Sequence, residues 1–94
     1  MIERVVRLVN PKGLHARASH KLSECAQRFD CDTRLFFGDH QADAKQIMSV
    51  MLLAAPVGSD ITLRCHGNDA RACLDAMSTL IAEGLGELGE RAEH

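Results

Sequence analysis

The chain has 94 residues, of which 46% are hydrophobic and 26% are charged, and its formal net charge is −2. This length fits one domain with a two-layer core, and the negative charge, with three Phe and no Trp or Tyr, argues against nucleic-acid binding. No apolar run approaches the roughly 18 residues that a membrane span requires, so we expect no membrane insertion.

The first half of the chain predicts three strands and one amphipathic helix. Ile2–Val9 is typical of a strand, although two extra valines leave undecided which of its faces points inward. A Pro-Lys-Gly break follows the strand. From Ala16 to Phe29 apolar residues recur every three or four positions, which predicts a helix. Thr33–Phe37 and a short segment near Gln41–Ala44 predict two strands joined by a turn.

The second half predicts a short helix, a strand and a final helix. Lys45–Ala55 is compatible with a helix and is apolar on almost every side. Ile61–His66 alternates apolar and polar residues, as a half-buried strand does, and Ala70–Ile81 places its apolar residues on one face. Four strands covered on one face by helices, in the order β-α-β-β-α-β-α, are the natural two-layer solution, and the expected class is α+β.

The cysteines and the C-terminal end give further expectations. Four cysteines without Cys-x-x-Cys pairing indicate buried, reduced thiols in a cytoplasmic protein rather than disulfides. The domain is expected to span residues 1–88, with residues 89–94 as a flexible tail. Fraying is expected to begin at Gly84 because glycines follow at short intervals. The terminal glutamates are interpreted as solvated charge.

The stretch Asn10–Leu22, NPKGLHARASHKL, places a histidine at the mouth of the first helix. The first amides of a helix lack internal partners and carry the positive end of its dipole. If His15 caps the helix, this positive end favours a neutral, nucleophilic imidazole, and a dianion on the ring would meet free N–H donors. Arg17 has the shape for two-point contact with phosphate. These residues predict a phosphoryl group on His15. The alternative is that His15 is simply an exposed loop histidine. A purely structural role as a helix cap is less natural, because histidine is a poor cap.

The other polar side chains offer weaker sites. No nucleophile–base pair is expected among Ser19, His20 and Ser23, since adjacent helical positions point apart. We interpret all three residues as helix surface. Histidines on a turn, a strand and the tail lack the spacing of metal ligands. We therefore expect no metal and no cofactor.

The second notable feature is the apolar cluster on the short helix, formed by Ile47, Met48, Met51 and Leu52. Core packing should claim some of these side chains, but a short helix cannot bury every side. Part of the cluster therefore predicts an exposed docking patch, for which adaptable methionines are suited. A basic rim would attract acidic partner surfaces, and its expected members are Lys12, Arg17, Lys21 and Lys45.

These motifs together resemble the HPr family, the histidine-containing phosphocarriers of the bacterial phosphoenolpyruvate-dependent sugar phosphotransferase system. The similarity extends from Ile2 to about Leu85. It depends on GLHARAS at Gly13–Ser19, AKQIMSVMLLA at Ala44–Ala54 and the strand ITLRCHG before the final helix. The resemblance implies an open-faced β-sandwich, with a four-stranded antiparallel sheet and three helices on one face.

The resemblance also implies a phosphocarrier rather than an enzyme. Nδ1 of His15 would accept a phosphoryl group from phosphorylated enzyme I and pass it to enzyme IIA domains, with the protein acting as a monomer. Arg17 would steady the phosphoryl group, together with the backbone amides of Ala16, Arg17 and Ala18. The residues expected to bind partners are Lys12, Leu14, Lys21, Gln46, Ile47, Met48 and Met51.

Two alternatives stay open beside the sugar-transport carrier. One is a regulatory paralogue that signals nitrogen or carbon status through phosphorylated His15. The other is a small-molecule-binding regulatory module with a similar order of elements.

Two positions depart from the family's pattern. Ala18 stands where relatives frequently have proline after HAR, so we expect one more amide donor in the first helical turn. Gln46 stands where many relatives have a serine that HPr kinase phosphorylates. We therefore expect that control to be absent at this position.

Overall fold

The computed structural model describes residues 1–87. In this range the elements are β1 (Ile2–Arg7), α1 (Ala16–Gln27), β2 (Asp32–Phe37), β3 (His40–Asp43), α2 (Ile47–Leu52), β4 (Asp60–His66) and α3 (Ala70–Ala82). The strands form one sheet in the order β1-β4-β2-β3, and each neighbouring pair is antiparallel. The predicted α+β order is confirmed. Residue 88 and the expected tail, 89–94, lie outside the described residues.

Alternating burial fixes the inward face of β1. Ile2, Arg4 and Val6 are half-buried, and Leu8 just beyond the strand is fully buried. Val5, by contrast, is 62% exposed. The even-numbered side chains therefore face the helices, which resolves the ambiguity that the extra valines created.

Helix α1 buries more of its surface than the apolar stripe predicted. Ser19 and Ser23 are both fully buried, so their interpretation as helix surface is wrong. They flank the apolar stripe and are small enough to fit beneath the neighbouring elements. The Ser19 hydroxyl donates to the Leu14 carbonyl at 3.4 Å, which offsets the cost of its burial. His20 is exposed, as expected.

All four cysteines are buried and free. Burial raises the pKa of the Cys25 and Cys65 thiols. Burial also raises the pKa of Cys73 to about 12. The Thr33 hydroxyl lies 3.2 Å from the sulfur atoms of both Cys31 and Cys73. The expected buried thiols are confirmed, and the raised pKa values keep Cys25, Cys65 and Cys73 protonated at neutral pH.

Two loops lie side by side at the end of the sheet where β1 finishes and β4 begins. The Leu8 amide donates to the Ser59 carbonyl at 2.9 Å, and the Gly58 amide donates to the Leu8 carbonyl at 2.8 Å. Farther along, the Leu14 amide donates to the Ala55 carbonyl at 3.0 Å. Since Leu14 precedes α1 and Ala55 follows α2, these bonds place the start of α1 beside the end of α2.

Only glycine fits at position 13 of this contact. Gly13 has a φ of +63°, which L side chains rarely adopt. A Cβ added there would lie 2.3 Å from the Ala55 carbonyl oxygen and 2.9 Å from Pro56 Cα. A side chain at this position would therefore push the two loops apart.

The segment that follows α3 does not fray at Gly84. Leu85 is only 1% exposed and belongs to the core, and its amide donates to the Leu80 carbonyl at 3.0 Å. Gly84 and Gly86 have φ values of +90° and +84°, so these glycines form turns instead of loosening the chain. The expectation of fraying is wrong for residues 84–87. The segment turns back and brings Glu87 toward the β1–α1 loop.

The residue after the C-cap of α2 generates a prediction about stability. Ala54 has a φ of +51°, a conformation that costs an L residue roughly 1–2 kcal/mol. We expect Ala54→Gly to raise the free energy of unfolding by about 1 kcal/mol, because glycine adopts this conformation without steric cost. Urea denaturation measures the change.

The matched control is Ala72→Gly, an exposed position inside α3. There glycine should lower the free energy of unfolding by roughly 0.5–1 kcal/mol. Equal destabilisation by both variants would contradict the account of Ala54.

Candidate functional site

His15 occupies the N-cap of α1, as the sequence predicted. Its backbone is extended, with φ −81° and ψ −178°, and its carbonyl accepts the Ser19 amide at 2.9 Å. The ring nitrogen Nδ1 accepts the backbone N–H of Arg17 at 3.3 Å. The imidazole therefore takes the place of the hydroxyl or carboxylate that usually caps a helix. Its side chain is 27% exposed, so the ring is reachable from outside.

The other ring nitrogen contacts a carboxylate from the far end of the chain. Nε2 of His15 lies 2.6 Å from Oε1 of Glu87, whose side chain is 13% exposed. Because Nδ1 accepts an amide proton, we infer that the ring proton is on Nε2 and is donated to Glu87. The two contacts together leave the Nδ1 lone pair facing the helix start.

A buried amide holds this carboxylate in place. Asn10 is fully buried, and its Nδ2 donates to the Gly13 carbonyl at 2.7 Å and to Oε1 of Glu87 at 2.8 Å. One side chain thus connects the turn before α1 to the turn after α3. The position of the His15 ring therefore depends on both turns.

Glu87 is ionised at neutral pH. Burial alone would raise the pKa of its carboxyl, but hydrogen bonds from Asn10 and His15 and the nearby charge of Lys12 outweigh burial. The pKa is consequently lowered from its ordinary value of 4.5. A negative charge therefore lies against the Nε2 side of the imidazole, and the helix start lies against the Nδ1 side.

The sequence did not identify Glu87 or Asn10 as site residues. The interpretation of Glu87 as solvated charge is wrong, because the preceding turns fold it back onto His15. Glu87 and His15 are 72 positions apart, so no spacing pattern connects them. The leucine between two glycines, Leu85, was the available hint of a packed turn. Asn10 had a stronger signal, since asparagine before a Pro-Lys-Gly break often bonds to the backbone of its own turn.

The predicted anion-binding groups lie together at the helix mouth. Ala16, Arg17 and Ala18 form the first turn of α1, where backbone amides point toward the cap. The Arg17 amide is directed at the His15 ring, and the Arg17 side chain is exposed. The Ala18 side chain, unlike that of Arg17, is only 1% exposed and packs in the core.

Helix α2 presents an apolar patch, which we define as Ile47, Met48, Met51 and Leu52. Met48 and Leu52 are 67% and 80% exposed, whereas Ile47 and Met51 are half-buried. The core instead claims Val50, which is fully buried. The expectation that core packing claims some of these four side chains is therefore wrong, whereas the expected exposed apolar surface is present. Leu52 was left out of the expected partner contacts, although it is more exposed than Met48.

The surroundings of the apolar patch differ from expectation at one predicted partner-binding residue, Leu14, and at one predicted member of the basic rim, Lys45. Leu14 is 5% exposed and belongs to the core, so it does not offer a docking surface. Lys45 donates its Nζ to the Phe29 carbonyl at 2.8 Å and is therefore occupied by the chain itself. The remaining polar residues stay accessible, with Lys12 and Gln46 exposed and Lys21 half-buried.

Two features are absent from residues 1–87. No three or more His, Cys, Asp or Glu side chains in this range are grouped so that they could hold a metal ion. No helix in this part of the chain is long and apolar enough to cross a membrane. The expectation that the protein uses no metal or cofactor stays a prediction.

Comparison with known proteins identifies the relatives of the chain. Residues 2–83 match the family model described as "PTS HPr component phosphorylation site". The chain is 44% identical to phosphocarrier protein HPr of Cupriavidus necator over 87 residues, which cover 93% of this chain and 98% of that protein. It is 39% identical to phosphocarrier protein NPr of Shewanella violacea over 80 residues, which cover 85% and 88%.

A solved structure confirms the fold. The crystal structure of HPr-C-His from Thermoanaerobacter tengcongensis superimposes with a TM-score of 0.88 at 29% sequence identity. The match covers 93% of this chain and 98% of that one. The open-faced arrangement of four antiparallel strands and three helices is thus shared with HPr.

The lowered pKa of Glu87 predicts a pH-dependent contribution to stability. A carboxyl group with a lowered folded-state pKa stabilises the protein fully above its unfolded value of 4.5 and loses this effect as the pH falls through the folded value. We therefore expect Glu87→Gln to be less stable than wild type at neutral pH. The difference should shrink below pH 4.5. Urea denaturation across this range measures it.

Glu83→Gln is the matched control, because it removes the same charge from an exposed side chain near the end of α3. A difference between wild type and Glu87→Gln that stays constant from neutral pH to about pH 3 would contradict the assigned ionisation.

Proposed function

The chain belongs to the HPr family of phosphocarriers of the phosphotransferase system, and we propose on that basis that Nδ1 of His15 is its carrier atom. In this proposal Nδ1 accepts a phosphoryl group from phosphorylated enzyme I and passes it to enzyme IIA domains in the cytoplasm. The observation that carries the proposal is the capping ring, whose Nδ1 lone pair accepts the Arg17 amide. The protein then acts as a phosphorylated intermediate and not as a catalyst.

The ring is prepared for attack on phosphorus. Nδ1 holds an in-plane lone pair because the proton is placed on Nε2, next to Glu87. Phosphoryl transfer passes through a loose transition state, so positioning and electrostatics supply most of the acceleration. The cap geometry fixes the ring before a donor arrives, and the 27% exposure of the His15 side chain allows that donor to approach.

The helix start stabilises the phosphorylated form. Once the Nδ1 lone pair is bonded to phosphorus, it no longer accepts the Arg17 amide, and that N–H turns to a phosphoryl oxygen. The amides of Ala16 and Ala18 and the positive end of the α1 dipole act on the same dianion. The Arg17 guanidinium adds a fixed positive charge from the same turn. A carrier must also release its cargo, which favours an open site over a closed one.

The apolar patch on α2 supports recognition of several partners in turn. Met48 and Leu52 offer adaptable apolar area beside the loop that carries His15. Lys12 and Lys21 attract acidic surfaces and bring partners into register. Such interfaces are expected to be small and transient, because each partner must leave after transfer.

A regulatory carrier is the second candidate. The relatives include both an HPr at 44% identity and an NPr at 39% identity. Both candidates use the same atom of His15, so the difference lies in the acceptors. Measuring which enzyme IIA domains take the phosphoryl group, and how fast, separates a carrier for sugar uptake from a regulatory one. The small-molecule module is disfavoured by membership of this family.

Three further expectations stay predictions. The protein is expected to be a monomer. Gln46, at the N-cap of α2, has no hydroxyl for a serine kinase to phosphorylate. Ala18 keeps an amide N–H where proline has none, so Ala18→Pro should not tighten the binding of sulfate or phosphate.

The carrier role is tested by phosphorylation of the purified protein. Incubation with phosphoenolpyruvate and enzyme I should add one acid-labile phosphoryl group, and His15→Ala should abolish it because the acceptor nitrogen is lost. The mass of the intact protein and the acid lability of the product measure the outcome.

His20→Ala is the matched control, since it removes an exposed imidazole one turn along α1. It should be phosphorylated like wild type. Full phosphorylation of His15→Ala would refute the proposed acceptor.

The docking role of the apolar patch is tested by charge insertion. Met48→Lys and Leu52→Lys should each lower kcat/KM for transfer from phosphorylated enzyme I by about tenfold or more, because a charge replaces an apolar contact at the interface. The melting temperature should change little, since both side chains are largely exposed.

Val5→Lys inserts the same charge at a 62% exposed valine on the opposite face of the sheet. This control should leave kcat/KM unchanged. An equal loss in Val5→Lys would show that the added charge, and not the apolar patch, causes the effect.

A further inference from the structure

We infer that Glu87 is a positioning residue for phosphoryl transfer, whose carboxylate keeps the ring proton of His15 on Nε2 and offsets the positive charge that the ring gains when Nδ1 is phosphorylated. This inference rests on the proposed function of His15 and adds a second residue to it. It arises from the contact between Oε1 of Glu87 and Nε2 of His15, at 2.6 Å.

The carboxylate is held rigidly enough to position a ring. Asn10, which is fully buried, donates to the same Oε1 at 2.8 Å. On the other side, Leu85 is anchored in the core two residues earlier, and the Glu87 amide donates to the Gly84 carbonyl at 3.0 Å. The carboxylate is thus fixed through both its backbone and its acceptor oxygen. Such fixed partners orient a histidine better than a flexible surface side chain does.

The two contacts of the ring define which nitrogen is the nucleophile. A neutral imidazole that donates from Nε2 to a carboxylate presents its lone pair at Nδ1. The Arg17 amide, 3.3 Å from Nδ1, selects the same tautomer from the other side. Glu87 and the Arg17 amide therefore act together, and Glu87 contributes the charged half of the pair.

The transfer step balances without any proton leaving the ring. The Nδ1 lone pair forms the N–P bond while the bond between phosphorus and the donor atom breaks, and the donor atom keeps that electron pair. Nε2 retains its proton, so the ring changes from neutral to a phosphoimidazolium with one positive charge. In the onward step the N–P bond breaks, the pair returns to Nδ1, and the ring is neutral again with the proton still on Nε2.

The charge of Glu87 favours the phosphorylated ring. Lys12 and Arg17 both bring positive charge to this corner of the molecule, and positive charge opposes an imidazolium. The carboxylate lies close to the ring and compensates for them. An opposite charge at this range changes such an equilibrium by roughly tenfold or more, so Glu87 sets how much phosphorylated protein is present at a given donor level.

A merely structural role for Glu87 makes a different prediction. Glu87→Gln keeps an oxygen that can accept from both Asn10 and His15, but it removes the negative charge. If Glu87 only fastens the C-terminal turn, this variant should change stability and leave the phosphorylation equilibrium as it is. If the carboxylate acts on the ring, the equilibrium itself must change.

The first measurement concerns the unphosphorylated protein. ¹⁵N–¹H NMR of the imidazole at mildly alkaline pH should show a bound proton on Nε2 of wild type, protected from exchange by the short bond to Glu87. Glu87→Ala should lose that protection, whereas Glu83→Gln should retain it. A wild-type ring with its proton on Nδ1 would overturn the inference, and so would equal protection in wild type and Glu87→Ala.

The second measurement concerns the carrier step. At a fixed ratio of phosphoenolpyruvate to pyruvate, with enzyme I present, we expect the equilibrium ratio of phosphorylated to unphosphorylated protein to be about tenfold lower for Glu87→Gln than for wild type. Glu83→Gln removes the same charge near the end of α3 and should behave like wild type. Equal ratios for wild type and Glu87→Gln would overturn the inference.

The outcome also separates this inference from the proposed function. Failure of wild type itself to accept a phosphoryl group would refute the role of His15 and, with it, the role of Glu87. Normal phosphorylation of wild type and of Glu87→Gln would refute only the role of Glu87. Circular dichroism and melting curves of Glu87→Gln identify any loss of folding that could lower the ratio for another reason.

Discussion

The hydrogen bond from the Arg17 amide to Nδ1 of His15 is the interaction on which the rest of the site depends. It makes the imidazole part of the helix and aims one nitrogen at the positive end of the α1 dipole. The same bond fixes the tautomer, which leaves the ring proton on Nε2, next to Glu87. In the proposed carrier role, a ring in this position would need no second catalytic group, because phosphorylated enzyme I would bring the phosphoryl group already activated.

The fold supplies this geometry through close backbone contacts. The antiparallel pairing of β1 with β4 brings the loop before α1 against the loop after α2, and Gly13 permits an approach to Ala55 that a Cβ would block. The apolar patch and the cap histidine are thereby neighbours although they are more than 30 positions apart. The buried Asn10 side chain then joins the turn of Gly13 to Glu87. The apolar patch and the cap histidine are therefore held together by three loops at one end of the sheet.

The sequence pattern was sufficient to predict those features that are determined by residues close together in the sequence. The alternation of β4, the apolar stripe of α1 and the cap position of His15 all follow from neighbours in sequence, and the structure confirms them. Contacts between distant segments left no such pattern. In the sequence Glu87 resembled a solvated terminal glutamate, and Ser19 and Ser23 resembled surface residues, because their burial is decided by elements that pack on them from elsewhere. Leu14 was expected at a docking surface, but its side chain is buried in the core, and its amide bonds to the loop after α2.

The position of the N–P bond tests the central claim most directly. ¹⁵N–³¹P NMR of the phosphorylated protein, with labelled histidine, identifies the ring nitrogen that is bonded to phosphorus. The account predicts coupling of phosphorus to Nδ1 of His15, with a proton still bound to Nε2. Coupling to Nε2, or a phosphoryl group on another residue, would contradict it.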